Sequence, residues 1–395
     1  MKSSTARADT VVTGHCAPGF EPLRAAFAEN FRSRDELGAS LCLRHEGRLL
    51  VDLHGGIADP ATGAPWRDDT VSVVFSCTKA ASAALVHLLV ARGLIALDQT
   101  IASFWPDFAA AGKAGITLRM VLNHTAGIPA IRAPMPRDCL LDPQAMARHL
   151  AAEPPFWEPG TRLGYHAVTY GLILGEVVRR VTGDSLGTLF RQLIAEPLGL
   201  DFTIGATPAV EARVAPVLPY APPRGTAPTP FQQALTTPGS PTNLMLLNCG
   251  DWSWRGVNTP AGRKVEVPAA GGITHARGLA GLYAALIDPA NPLGFAPGQT
   301  GTFGRLSAET ARCQTLLAPM RFGPGFMLGI EHPDGGGLPL PEGAFGHVGM
   351  GGSVGFADPA RGLAFGYTMN RLGGSFLLDD RGRSLVDTAL RLCRE

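Results

Sequence analysis

A serine and a lysine stand three residues apart at the entry to the most apolar helical stretch of the chain. Residues 71–75, Val-Ser-Val-Val-Phe, are apolar and largely β-branched, and Ser76-Cys77-Thr78-Lys79 then leads into AASAALVHLLVARG. Spacing of three sets Lys79 one helical turn beyond Ser76 on the same face, where its amine can reach the hydroxyl. Such a pair is suited to nucleophilic acyl transfer, the amine taking the hydroxyl proton as the oxygen attacks a carbonyl. An unperturbed lysine has a pKa of ~10.4, so a base working near pH 7 needs a downward shift of ~3 units, about 4 kcal/mol against the charged form. Burial beside a helix N-terminus shifts it in that direction. The same N-terminus aims backbone N–H groups at a developing oxyanion, and one such donor is typically worth about 3 to 4 kcal/mol in kcat. The plainer alternative makes Ser76 an N-cap and Lys79 a surface residue. Composition weighs against it: the chain has only four lysines (Lys2, Lys79, Lys113, Lys264) beside thirty arginines, and one of the four opens its most apolar helix.

Two further constellations fit that chemistry. Trp157-Glu158-Pro159-Gly160-Thr161 leads through Gly164 into Tyr165, just before an amphipathic helix that begins near Tyr170. A phenol at such a junction can pass a proton between Lys79, Ser76 and a leaving oxygen; a tyrosine anchoring a loop is the alternative. Gly346-His347-Val348-Gly349-Met350-Gly351-Gly352-Ser353 is glycine-dense and runs into a strand, so a substrate can lie close to its backbone. His347 fits a structural role as well as substrate contact.

These residues need a scaffold, and the periodicities predict one. Leu23, Phe27 and Phe31 recur at helical spacing, followed by a hairpin of Leu41/Leu43 and Leu49/Val51/Leu53 about Glu46-Gly47. The C-terminal end mirrors it. Val354 to Ala357 and Leu363 to Met369 flank a Pro359/Gly362 turn, and Leu385, Ala389 and Leu392 share a face of a last helix. Two hairpins and two terminal helices predict one shared antiparallel sheet, an α/β (α+β) domain of residues 1–75 and 262–395. Residues 76–261 read as a mostly helical domain, clearest where Tyr170, Ile173, Leu174, Val177, Val178 and Val181 form a stripe opposite Glu176, Arg179 and Arg180. Eight prolines between Pro216 and Pro241 predict a long loop there, and the junction of the two parts predicts a substrate cleft.

Composition narrows the partners. A net charge of +1 with no Lys/Arg run beyond two residues leaves nothing to track a phosphate backbone or an acidic membrane, so neither nucleic acid nor membrane is expected. The N-terminal stretch lacks the apolar core of a signal peptide, and the apolar run Ala80–Ala91 is too short to span a bilayer, which predicts a cytoplasmic protein. Seven scattered cysteines without a CxxC pair suit reduced thiols, and no HExxH-type motif calls for a metal or other cofactor.

With SCTK stand LNHTAGIP (122–129), EPGTRLGY (158–165) ahead of TYGLILGEVVRRVTG, EPLGLDF (196–202), PAAGGITHARGLAGLYAAL (268–286) and GHVGMGGSVGFADP (346–359). In this order they make the chain resemble the β-lactamase-like serine hydrolases, and within them the family VIII carboxylesterases, relatives in fold of class C β-lactamases and D-alanyl-D-alanine peptidases. The resemblance implies a β-lactamase/penicillin-binding-protein-like fold, acylation of Ser76, proton transfer through Lys79 and Tyr165, and release of the acyl group to water. It implies that the backbone N–H groups of Ser76 and Met350 form the oxyanion hole, and that His347, Gly349 and His166 lie about the substrate. The lactamase and peptidase motif Tyr-x-Asn is Tyr165-His166-Ala167 here, without the amide; their Lys-Thr-Gly is His347-Val348-Gly349, without the ammonium and hydroxyl suited to a carboxylate. These departures favour small neutral esters and reduce the expectation of cephalosporin or D-peptide hydrolysis. An acyltransferase and a non-catalytic binding protein remain as alternatives.

Two stretches imitate a GxSxG nucleophile elbow. Gly183-Asp184-Ser185-Leu186-Gly187 even has Asp334 and His347 following in the right chain order, but a helix precedes it where an elbow requires a strand, and Asp184 or Ser185 reads as an N-cap. Gly351-Gly352-Ser353-Val354-Gly355 runs into a strand with no helix after it. Cys77 points about 100° away from Ser76 on a helix and reads as packing.

Overall fold

The computed structural model describes residues 10–222, 225–331 and 337–393. Strand β1 (Val12–Cys16) precedes α1 (Glu21–Ser33), which buries Leu23, Phe27 and Phe31 as the helical spacing predicts. β2 (Gly38–His45) and β3 (Arg48–Asp59) form the first hairpin. Glu46 and Gly47 both take positive φ (+49° and +74°), the tight-turn geometry whose twist matches paired strands.

The middle of the chain starts with β4 (Ser72–Val73), shorter than its apolar run. With β5 (Phe202–Ile204) and β6 (Gly272–Thr274) it forms a separate three-stranded antiparallel sheet, β6 in the centre. Helix α2 (Thr78–Ala91) follows, buried on every side from Thr78 to Leu89, as a helix apolar all round must be. Cys77 is its N-cap, so Ser76 lies in the turn ahead of the helix and not in its first turn. After α3 (Pro143–Ala152) comes α4 (Thr169–Thr182), whose buried stripe includes Tyr170, Ile173, Leu174, Val177 and Val178. Gly183, at φ +84°, ends α4, and the Ser185 side chain accepts from the Thr188 N–H to cap α5 (Leu186–Phe190). The first elbow imitation is thus a helix–helix junction, as predicted; Asp334 lies outside the described residues.

The segment 216–241 corrects an expectation, because it is not loop throughout. Helix α6 (Pro230–Thr236) starts with a proline at its first position, where no N–H is needed, and is closed by a capping box between Thr229 and Gln232. Proline density argued against regular structure; the position of one proline permits it.

α7 (Ala276–Ile287) leads to β7 (Ala308–Thr310), β8 (Met320–Phe322), β9 (Met327–Leu328), β10 (Phe345–Val348), β11 (Val354–Asp358) and β12 (Leu363–Met369), and the described chain closes with α8 (Asp380–Leu392). The large sheet runs β1-β3-β2-β12-β11-β10-β9-β8-β7, antiparallel throughout, with the short strand Ala64–Pro65 added on β3. The two predicted hairpins share it: β12 pairs with β2 from Leu363↔His45 to Met369↔Ala39. Leu385 and Ala389 of α8 are buried and Leu392 half-buried. Among the described residues no helix is long and apolar enough to cross a membrane, and no cluster of three or more His, Cys, Asp or Glu could hold a metal. All seven cysteines are free thiols.

Candidate active site

Ser76 is presented by strained backbone. Phe75 has φ +44°, a left-handed conformation rare for a bulky residue, and strain of this kind costs about 1–3 kcal/mol unless the surroundings impose it. Here Phe75 bridges to Gly271, the Thr78 N–H donates to the Phe75 carbonyl (2.9 Å), and the Thr78 hydroxyl accepts from the Gly272 N–H (2.8 Å). The chain is turned sharply between β4 and α2, and Ser76 retains 7% exposure.

Lys79 is fully buried. Its Nζ lies 3.3 Å from Ser76 Oγ and donates to the carbonyls of Ala167 (2.9 Å) and Ala269 (3.0 Å). Burial drives its pKa well below the ordinary amine value, with only the Cys77 thiol opposing. A neutral amine has two N–H bonds and one lone pair. With both N–H groups taken by carbonyls, the lone pair is left for Ser76.

Tyr165 lies over this pair, its ring centroid 4.7 Å from Lys79 Nζ. Its backbone is gripped from both sides, the N–H by Cys313 Sγ (3.1 Å) and the carbonyl by the Thr315 hydroxyl (2.9 Å). The phenol oxygen is buried with no hydrogen-bond partner within 3.5 Å among the described residues. Burial raises its pKa, and the nearby Ser76 hydroxyl opposes that rise, so the phenol keeps its proton at neutral pH.

Three neutral histidines surround the tyrosine. His124, at φ +64° in the LNHTAGIP segment, packs its ring 4.5 Å from Tyr165, and its Nδ1 accepts from the His166 N–H (3.1 Å). From the sequence alone the LNHTAGIP motif assigns His124 no role. His166 corrects an expectation: it is 0% exposed, Nδ1–H donates to the Gly164 carbonyl (2.6 Å) and Nε2 accepts from the Ile128 N–H (3.0 Å). Both nitrogens are committed to backbone, so His166 braces the 124–128 loop and has none left for substrate. His347 differs. Its Nδ1–H donates to the Val348 carbonyl (2.8 Å), while Nε2 is buried without a hydrogen-bond partner among the described residues. Desolvation, followed by the Lys79 charge, pushes its pKa down to about 3, so Nε2 is an acceptor and carries no positive charge.

Gly349 brings the turn after β10 against Ser76; a Cβ there would sit 2.3 Å from the Val74 carbonyl oxygen. Met350 follows, and among the described residues neither its N–H nor that of Ser76 is hydrogen-bonded to protein. The turn is pinned from behind by Arg381, a residue with no signature in the sequence. It donates to the Gly351 carbonyl (3.0 Å) and pairs with buried Glu36 (3.0 Å) and with Asp379 (2.6 Å). Cys77 is buried, its Sγ 3.3 Å from the His347 carbonyl, which joins the start of α2 to β10. Ser353, the serine of the second elbow imitation, is 0% exposed.

Comparison with known proteins gives the family and the fold. The Beta-lactamase family model matches residues 23–389. The Esterase/beta-lactamase LipL of Mycobacterium tuberculosis (strain ATCC 25618 / H37Rv) is 35% identical over 387 residues, 93% of this chain and 85% of the relative. Among solved structures, a family VIII carboxylesterase matches with TM-score 0.86 and 36% identity, over 97% of this chain and 100% of that one. A penicillin-binding protein homolog from Caulobacter crescentus matches with TM-score 0.84 and 34% identity, over 97% and 100%. A strained serine beside a buried amine, an antiparallel sheet shared by both ends of the chain and likeness along almost its whole length have one reading: the chain belongs to the beta-lactamase family.

Proposed function

We propose that this protein is a carboxylesterase that cleaves small neutral esters through an acyl-enzyme on Ser76. The observation that carries the reading is Lys79, a buried amine with two carbonyls on its N–H groups and the Ser76 hydroxyl on its remaining side. Neutral Lys79 takes the Ser76 proton as Oγ adds to the ester carbonyl. The N–H groups of Ser76 and Met350 stabilise the oxyanion. Tyr165, still protonated, gives its proton to the departing alkoxide and is reprotonated from the Lys79 ammonium. Water then repeats the sequence on the acyl-enzyme and releases the acid, each proton returning to its origin.

Substrate charge follows from His347. Where lactamases and peptidases carry an ammonium, this chain has a neutral acceptor nitrogen, which suits a hydroxyl or a water and repels a carboxylate. Ala167 contributes only its carbonyl, and that is held by Lys79. Anionic β-lactams and peptides therefore bind less well than neutral esters. Seven free thiols suit a reducing compartment such as the cytoplasm.

The test is kcat/KM on p-nitrophenyl butyrate for the parent and for Ser76→Ala, with nitrocefin alongside. Ester turnover lost in the variant, with nitrocefin at least tenfold poorer in the parent, supports the reading. Turnover surviving in Ser76→Ala moves the nucleophile elsewhere, and preference for nitrocefin makes the enzyme a lactamase.

A further inference from the structure

We infer that a cavity of about 600 Å³ beside the site receives the alcohol half of the ester and selects uncharged apolar alcohols, aromatic or medium-length aliphatic, over anionic ones. The inference rests on the esterase reading above. Its walls include Phe231, Leu235, Leu316, Met350, Leu372 and Phe376, and one side is α6, the helix within the proline-rich segment.

Two contacts tie the cavity to the chemistry. Met350 lines it, and its N–H is one of the two oxyanion donors. Phe376 stands edge-on to the Tyr165 ring, centroids 6.2 Å apart at 82°, and Phe231 packs on Phe376 at 5.1 Å. Through Phe376 the cavity adjoins the ring of Tyr165. Tyr165 is the group that protonates the departing oxygen, so a cavity adjoining it takes what that oxygen carries.

Charge decides what enters. Among the described residues that line the cavity there is no Lys, Arg or His, and its charged groups are Asp379 and Asp380. Asp379 is already held by the Arg381 guanidinium and by the N–H groups of Arg381 (3.1 Å) and Gly382 (3.2 Å), whereas Asp380 is exposed. An incoming carboxylate would lose water and meet like charge, with no cation to replace the hydration. An alkyl or aryl group meets apolar walls, and each methylene buried is worth roughly fourfold in kcat/KM.

Acetate esters of methanol, butanol, octanol and an ω-hydroxy fatty acid as long as octanol, followed by acid release at constant pH, test this. We expect kcat/KM to rise at least tenfold from methyl to octyl acetate and to be at least tenfold lower for the carboxylate-bearing ester than for octyl acetate. Phe231→Ala lowers the octyl-to-methyl ratio at least fivefold; should that variant fold poorly, Phe231→Leu shifts the ratio the same way by less. Leu235→Arg places a cation on the wall and raises the carboxylate ester relative to octyl acetate. A flat alcohol series beside a steep series of ethyl esters with lengthening acyl chains would reassign the cavity to the acyl half and overturn the inference. Ratios unmoved in both variants, in an enzyme that does hydrolyse esters, would also overturn it and leave the esterase reading intact. A parent that hydrolyses no ester, and whose Ser76 escapes a phosphonate probe, would remove both.

Discussion

Among the described residues two lysines, Lys79 and Lys113, are fully buried, and their surroundings differ. Lys113 donates to three carbonyls, those of Ala110 (2.8 Å), Ala151 (3.0 Å) and Glu153 (2.7 Å). Three acceptors match the three N–H bonds of an ammonium, and the Glu153 carboxylate nearby favours the charged form against a burial that lowers the pKa. Lys79 has two carbonyls and a serine hydroxyl, and no carboxylate among the causes that act on its pKa. A hydroxyl in place of a third carbonyl, and the lack of a carboxylate, set Lys79 apart. An ammonium with three carbonyls is a tie between the end of α3 and residues 110–113, whereas an amine with two leaves its third position to Ser76, as the proposed base requires.

The comparison breaks first at Lys79. Lys79→Met should lower kcat/KM on p-nitrophenyl butyrate by about 10³-fold or more, in the upper range for a lost general base, while Lys113→Met keeps the parent's kcat per folded molecule. Equal losses in the two variants would show that Lys79 is no more than another tie. Next in size is stability. Lys113→Met strands three carbonyls and should cost about 3 kcal/mol, read as a lower denaturant midpoint at constant slope. A midpoint unchanged in Lys113→Met would mean that its three contacts hold nothing together.

The smallest effect is pH-dependent and sharpens the distinction. The folded-state pKa of Lys79 lies well below 10.5, so above that depressed value the unfolded chain binds a proton that the folded chain does not. The resulting destabilisation is fully present below the folded pKa and fades as pH rises towards the unfolded value of ~10.4. Parent stability relative to Lys79→Met should therefore climb through that window. kcat/KM should fall on the acid side as Lys79 takes up a proton, and Lys113→Met should overlay the parent's profile. An acid limb that moves with Lys113 instead would contradict the assignment of the base.

Much of this architecture is legible in the sequence. The hairpin pairs and terminal helices followed from periods of two and of 3.6, because a half-buried sheet and an amphipathic helix each repeat their burial at a fixed step. Ser185 as an N-cap followed from its place after a helix. The proline-rich segment is less legible, since proline forbids a helix interior but favours a helix start, and composition does not tell the two apart. His166 illustrates the same limit at the site: its neighbour Tyr165 marked it as a substrate contact, and the loop holding Ile128, distant in sequence, took its nitrogen instead.

Sequence by itself determined which side chains could do chemistry, Ser76, Lys79 and Tyr165, and the elements that carry them, because side-chain type and periodicity are written residue by residue. Only the tertiary structure decided how those groups are tuned. Ala167 and Ala269 act on Lys79 through their carbonyls, Arg381 holds Gly351 by its carbonyl, and Phe75 is strained by contacts with the 271–272 backbone. Every residue has a carbonyl and an N–H, so no sequence pattern marks the few that matter; they are selected by which distant segments the fold brings within about 3 Å of one another.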